Sequence, residues 1–94
     1  MLEITTGDDG TIRLQGRLDA SQVSAASAVF ARVNGDCTVD FSELTYISSA
    51  GLGLLFATQR RLVDGGKGLR LVNLNPHIRE IFQIAGFDRI FEIE

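Results

Sequence analysis

One stretch of the chain indicates its architecture most clearly: Val39-Asp40-Phe41-Ser42-Glu43-Leu44-Thr45-Tyr46-Ile47-Ser48-Ser49-Ala50-Gly51-Leu52-Gly53-Leu54-Leu55. Its pattern predicts a buried strand that ends at Phe41, a loop over residues 42–47, and a helix over residues 49–63 with two hydroxyls at its start. The first N–H groups of a helix lack intrahelical partners and carry partial positive charge, so an anion on a serine is well placed there. This junction is the first candidate for a functional site.

Length and composition fit one compact domain over residues 1–94. The chain is 45% hydrophobic with a net charge of -3, which is enough apolar material for a single core. Its nine basic residues are scattered, which argues against nucleic acid or an anionic membrane as a partner. The chain shows no secretory signal and no apolar stretch of membrane-spanning length. We therefore expect a cytoplasmic protein that is complete in one domain.

The rest of the chain alternates strand and helix patterns. Strand-like residues 2–6 and 11–17 flank a glycine-rich turn, which predicts an antiparallel hairpin. A helix follows Asp19, with its buried side formed by Val23, Ala26, Ser27, Phe30 and Val33, and ends at Asn34-Gly35.

Beyond the glycines at 65–68, residues 69–74 predict another strand, and Asn75-Pro76 opens a third helix. That helix has a buried stripe of Ile78, Ile81, Phe82 and Ala85, and residues 89–93 can add a last strand. The sequence thus predicts an α/β fold: a mixed sheet of four to five strands, an N-terminal hairpin and about three packed α-helices.

The helix over residues 49–63 has two predicted sides. Its core side comprises Leu52, Leu55, Phe56, Gln59, Leu62 and Val63, with Gln59 as the one polar member. The side opposite the core, which we expect to contact a partner, carries Leu54, Ala57 and Arg61. Gly51 and Gly53 lack the lysine of a phosphate-binding loop, so we expect them to allow close approach of the sheet or, second, of a partner.

Three segments of the chain resemble the STAS family, the sulphate-transporter and anti-sigma-factor-antagonist domain: Gly16-Arg17-Leu18-Asp19, Val39-Asp40-Phe41-Ser42 and Tyr46-Ile47-Ser48-Ser49-Ala50-Gly51-Leu52-Gly53. In bacterial anti-sigma-factor antagonists the last segment typically reads Asp-Ser-Ser-Gly or Asp-Ser-Thr-Gly, and a partner kinase phosphorylates the serine after the aspartate. The resemblance places that phosphorylation site at Ser49. Ser48 stands in place of the aspartate, and Ala50 in place of the second hydroxyl.

The resemblance implies an anti-sigma factor antagonist that acts by partner switching. The unphosphorylated form binds a kinase-type anti-sigma factor or similar regulator, phosphorylation of Ser49 releases it, and a phosphatase resets the switch. The candidate partner-binding residues at the junction are Asp19, Asp40, Ser48, Ser49, Ala50 and Gly51, to which the helical pattern adds Leu54, Ala57 and Arg61. An alternative is an accessory subunit of a phospholipid-transport ATP-binding-cassette complex, in which the same surface is a permanent contact and Ser49 stays unmodified.

Several of these residues also have purely structural interpretations. Either serine can cap the helix, and Asp19 can cap the helix before it. The resemblance implies that Asp40 lies near Ser49 and contacts the kinase, but Asp40 can equally bond nearby backbone.

No catalytic set is recognisable in the sequence. The chain has one cysteine, Cys37, which we expect to be a small core residue, and one histidine, His77, which we expect to face solvent. There is no metal-ligand spacing, and no cofactor is predicted. We expect a substrate of an enzyme rather than an enzyme.

Overall fold

The computed structural model describes all 94 residues and contains one five-stranded sheet with three α-helices. In chain order the elements are β1 (Leu2–Thr6), β2 (Ile12–Leu18), α1 (Val23–Phe30), β3 (Cys37–Ile47), α2 (Ser49–Asp64), β4 (Leu69–Val72), α3 (Pro76–Ile84) and β5 (Glu92–Ile93). The strand order is β1-β2-β3-β4-β5; β1 runs antiparallel to β2, and the remaining pairs are parallel. The predicted mixed sheet with an opening hairpin is confirmed. No helix has the length and apolar character needed to cross a membrane.

The core lies on one face of the sheet. In β2, Ile12, Leu14 and Leu18 are buried while the alternate residues are exposed, and β4 repeats the pattern. Helix residues such as Phe30 and Phe82 pack against the buried side. The opposite face carries polar side chains. An open face is unusual for parallel strands, which are commonly covered on both sides.

The predicted loop over residues 42–47 is wrong, because β3 continues without a break to Ile47. Its pairing with β2 skips one residue on β3 between Asp40 and Glu43, and another between Leu44 and Tyr46. Such bulges shift the alternation of side chains without ending the strand. The Asp40 carboxylate stabilises the first bulge by accepting a hydrogen bond of 2.9 Å from the Ser42 N–H.

Other boundaries also differ from the sequence prediction. Asp19 caps a short 3-10 helix, Ala20–Gln22, that precedes α1, and α1 ends at Phe30 before the predicted stop. Ser27, Val63 and Ala85, each predicted to be buried, are exposed because each lies at the margin of its helix's apolar stripe. The third helix begins as predicted, with the Asn75 side chain accepting from the Ile78 N–H at 2.9 Å. The last strand is shorter than predicted.

The polar residue on the core side of α2, Gln59, joins three parts of the fold. It is only 6% exposed. Its Nε2 donates to the Ile90 carbonyl oxygen at 2.8 Å, and its Oε1 accepts from the Leu69 N–H at 2.7 Å. Gln59 therefore holds α2 to the start of β4 and to the segment before β5.

We expect Gln59→Leu to lower the free energy of unfolding by about 1–3 kcal/mol, because it leaves the buried Leu69 N–H without a partner and removes the bond to the Ile90 carbonyl. Urea denaturation of wild type and variant measures the change. Arg60→Leu, at an exposed neighbour on the same helix, is the matched control and should change stability by less than about 0.5 kcal/mol. Equal effects of the two substitutions would contradict the role assigned to Gln59.

Candidate functional site

The predicted junction lies where two parallel strands end side by side. Leu18 at the end of β2 pairs with Ile47 at the end of β3. Directly after them, the Ser48 N–H donates to the Leu18 carbonyl oxygen at 2.9 Å. The turns that begin at Asp19 and Ser48 are therefore neighbours, and α2 starts at the carboxyl edge of the sheet.

The two serines at this junction have different environments. Ser48 is the N-cap of α2: its backbone is extended, and its Oγ accepts from the Gly51 N–H at 3.2 Å. Ser49 is the first helical residue; it is exposed, and its hydroxyl makes no hydrogen bond in the structure. Only Ser49 thus presents a free hydroxyl beside the unpaired N–H groups of the first turn.

The two glycines at the start of α2 serve different purposes. A Cβ on Gly51 would lie 2.9 Å from Leu18 Cγ and 3.0 Å from the Leu18 carbonyl oxygen, so the sheet requires glycine there. A Cβ on Gly53 would meet no atom within 4 Å. The expectation of close sheet packing is confirmed for Gly51 and wrong for Gly53.

Asp19 lies beside the junction and is largely committed to its own turn. Its carboxylate accepts from the Ser21 Oγ at 2.6 Å and the Ser21 N–H at 3.1 Å, and these bonds hold the pKa of Asp19 below its usual value despite partial burial. The Arg17 guanidinium approaches Asp19 to 3.9 Å and lies 4.2 Å above the Tyr46 ring. The junction therefore has one carboxylate and one cation on its β2 side.

Asp40 is not near Ser49, contrary to the sequence expectation. It pairs with Arg13 and Val72 in neighbouring strands, and Ile47 lies seven positions further along β3, a distance of roughly 20 Å at about 3.3 Å per residue with two bulges. It is 8% exposed and accepts from the Asn73 side-chain amide at 3.1 Å. The alternative interpretation, bonding to nearby backbone, is the one that the structure supports.

The outward surface of α2 differs from the predicted set. Leu54 is half-buried and packs against the core, so it is not the exposed contact expected. Arg61 is exposed, but its guanidinium donates to the Phe30 and Val33 carbonyl oxygens at 2.9 and 2.7 Å and so caps the end of α1. Gly51 is buried.

We define the outer stripe of α2 as the exposed residues that follow Ser49 at helical spacing: Ser49, Gly53, Ala57 and Arg60. Exposed Ala50 and half-buried Ser48 border its start. Of the predicted partner contacts, the junction brings together Asp19, Ser48, Ser49, Ala50 and, beneath them, Gly51. Exposed Gly53 and Arg60 lie on the same stripe but were not in the predicted set, and the signal for them was the 3.6-residue period counted from Ser49 itself.

The remaining clefts lie elsewhere. The largest, of about 510 Å³, is at the amino ends of the parallel strands and includes Cys37, Asp36 and Glu92 in its lining. Cys37 is half-buried, which raises the pKa of its thiol, and His77 is exposed as expected. None of the predicted site residues lines this cleft.

The chain is similar in sequence to known proteins of one family. A family model described as "Mlab, STAS domain" matches residues 2–92. BtrV of Bordetella bronchiseptica, named as a candidate anti-sigma factor antagonist, is 51% identical over 57 residues, which are 58% of this chain and 47% of that protein. The anti-sigma-B factor antagonist of Staphylococcus aureus is 27% identical over 97 residues, covering 98% of this chain and 90% of its own length.

Among solved structures, the anti-sigma factor antagonist SpoIIAA shares the fold in both its forms. Its phosphorylated form, from Bacillus, superposes with a TM-score of 0.72 at 21% identity, over 100% of this chain and 91% of that one. Its unphosphorylated form gives a TM-score of 0.68 at 21% identity, over 96% and 97% of the two chains.

The two glycines provide a matched pair of variants. We expect Gly51→Ala to lower the free energy of unfolding by about 1–3 kcal/mol, because its methyl group would overlap the end of β2. Gly53→Ala should raise it by roughly 1 kcal/mol, since alanine is the better helix former and the space is open. Chemical denaturation measures both; changes of the same sign would contradict the assignment.

Asp40 provides a pH test. Burial acts to raise its pKa, but hydrogen bonds from Ser42 and Asn73 and the charge of Arg13 prevail, so the pKa lies below its usual value. A carboxylate with a lowered folded pKa stabilises above its unfolded pKa, and that stability is lost as the pH falls through the folded pKa. Asp40→Asn should therefore cost about 1 kcal/mol at pH 7 and progressively less below about pH 4 in urea titrations. A cost independent of pH would contradict this.

Proposed function

The chain belongs to the STAS domain family, and we propose that it is an anti-sigma factor antagonist acting by partner switching. In this proposal the unphosphorylated form binds a kinase-type anti-sigma factor. Phosphorylation of Ser49 by that kinase releases the complex, and a phosphatase restores the binding form. The names of BtrV and the S. aureus relative support the role as antagonist.

The environment of the Ser49 hydroxyl supports Ser49 as the phosphorylated residue. Its hydroxyl is exposed and unbonded at the first position of α2, whereas the adjacent Ser48 hydroxyl is engaged in capping. A kinase needs a hydroxyl that can enter its active site, and Ser49 offers one without breaking the cap. A kinase could take the Ser48 hydroxyl into its active site only by drawing it away from the Gly51 N–H, which opens the start of the helix.

The expected effect of phosphate is on binding rather than on the fold. A phosphoserine at position 49 brings about -1.5 to -2 charge next to the positive end of the α2 dipole, which the isolated domain tolerates well. A partner packed flat on the junction must desolvate that dianion, and any carboxylate it presents is repelled. Phosphorylation therefore prevents the partner from binding.

The outer stripe supports a closely packed partner. Gly53 weakens α2 by roughly 1 kcal/mol relative to alanine, yet nothing in the chain occupies the space above it. Ala57 continues this low surface by one turn, and Arg60 supplies a cation at its far end. We propose that the partner's surface lies along Ser49, Gly53 and Ala57.

The experiment is affinity purification of the tagged chain from its native cells, followed by calorimetry with the purified kinase-type partner. Ser49→Ala should bind and resist phosphorylation by ATP and magnesium. Ser49→Asp should bind at least tenfold more weakly, because it places a charge in the contact. Gly53→Arg should weaken binding without loss of fold, checked by thermal unfolding. Ser27→Asp, the same change at an exposed site on α1, is the control and should bind as wild type does.

The alternative, an accessory subunit of a phospholipid-transport ATP-binding-cassette complex, predicts a different outcome. In that case Gly53, which the fold itself does not require, again allows a close contact with the partner, but this contact is permanent. A transport ATPase would copurify with wild type, Ser49→Ala and Ser49→Asp alike. If, in addition, only Gly53→Arg disrupted the complex, the protein would be a transport-complex subunit and not a partner-switching antagonist.

A further inference from the structure

The outer edge of the sheet presents unpaired main-chain groups on β1. Met1 accepts from the Arg17 N–H at 2.9 Å, and the Gly7 N–H donates to Thr11 at 2.9 Å. Because hydrogen-bonded positions alternate in an antiparallel pair, the odd-numbered residues of β1 bond to β2, and the even-numbered ones point away from it. The N–H and C=O groups of Leu2, Ile4 and Thr6 therefore face outward.

We propose that two copies of the chain form a closed dimer by antiparallel pairing of β1 with β1. The two-fold axis passes between the two Ile4 residues. In this register Leu2 pairs with Thr6 of the partner subunit, and Ile4 pairs with Ile4 of the partner subunit. Each such pair exchanges two hydrogen bonds, so the three pairs satisfy all six outward groups of each strand.

Charge and the number of hydrogen bonds together favour this register over its neighbours. When the axis lies at Ile4, Glu3 faces Thr5 of the partner subunit at a close, non-hydrogen-bonded position. Moving the axis to Glu3 would set the two carboxylates directly opposite each other and would leave only two bonded pairs. Moving it to Thr5 also leaves two bonded pairs. The Ile4 register therefore combines the most hydrogen bonds with no opposed like charges.

The edge lacks the features that usually prevent such pairing. β1 contains no proline, lysine or bulge, and its one charge, Glu3, lies on the open polar face rather than in the plane of the edge. Leu2 and Ile4 are half-buried on the helix-covered face, so a second copy would extend the apolar layer across the interface. The opposite edge, β5, has only two residues and offers too short a template.

The dimer is closed because each chain contributes one such edge. Two-fold pairing joins five strands from each copy into one continuous sheet and leaves β5 at both ends. It uses main-chain groups of β1 and none of the residues on α2. The dimer can therefore be tested independently of the proposed function.

Sedimentation velocity across micromolar to millimolar concentrations of the full chain measures the dimer. Two substitutions at Thr5 separate dimerisation from folding, because Thr5 faces Arg13 within its own chain and Glu3 of the partner subunit across the interface. Thr5→Glu should favour the monomer fold and weaken the dimer about fivefold, since the repelling pair occurs twice. Thr5→Lys should do the reverse, strengthening the dimer while opposing Arg13.

Glu3→Lys combined with Thr5→Glu should dimerise more tightly than wild type, because both opposed pairs become attractive. Hydrogen exchange should show concentration-dependent protection of the Ile4 amide and none at the odd-numbered Thr5 amide, which already bonds to β2. A monomer at all concentrations would overturn the proposal. So would a dimer unaffected by charge at position 5, or an open-ended polymer.

Discussion

The hydrogen bond from the Ser48 N–H to the Leu18 carbonyl oxygen fixes the point at which α2 begins. It holds the first turn of the helix against the ends of β2 and β3, and it requires a residue without a side chain at position 51, where the chain has Gly51. The Ser48 hydroxyl then completes the turn as its cap. Because of this packing, the Ser49 side chain is exposed to solvent at the positive end of the helix dipole.

The two sides of α2 show how the fold supports a surface with little side-chain bulk. On the inner side, Gln59 ties the helix to β4 and to the chain before β5, and Arg61 ties it to the end of α1. On the outer side, Gly53 and Ala57 leave the backbone accessible. A low surface bordered by one exposed hydroxyl fits the proposed interaction, which a single phosphate would prevent.

Local signals predicted local structure, and contacts between distant segments account for the errors. The turn at residues 7–10 and the Asn75 cap act within a few residues, so the hairpin and α3 were predictable. The long β3 was not, because its bulges depend on pairing with β2 and on Asp40, whose polar network is far from the junction. Leu54 was misplaced because it packs against the core, and Arg61 because its guanidinium bonds to the end of α1, contacts that a helical wheel does not show.

In the proposed switch the free hydroxyl of Ser49, and not the capping hydroxyl of Ser48, is the regulated group. Peptide mass spectrometry of the chain isolated from its native cells, with fragmentation that separates the two serines, tests this directly. We expect phosphate on Ser49 in a fraction of molecules that varies with growth condition. Phosphate on Ser48, or no phosphate under any condition while a partner copurifies stably, would contradict it.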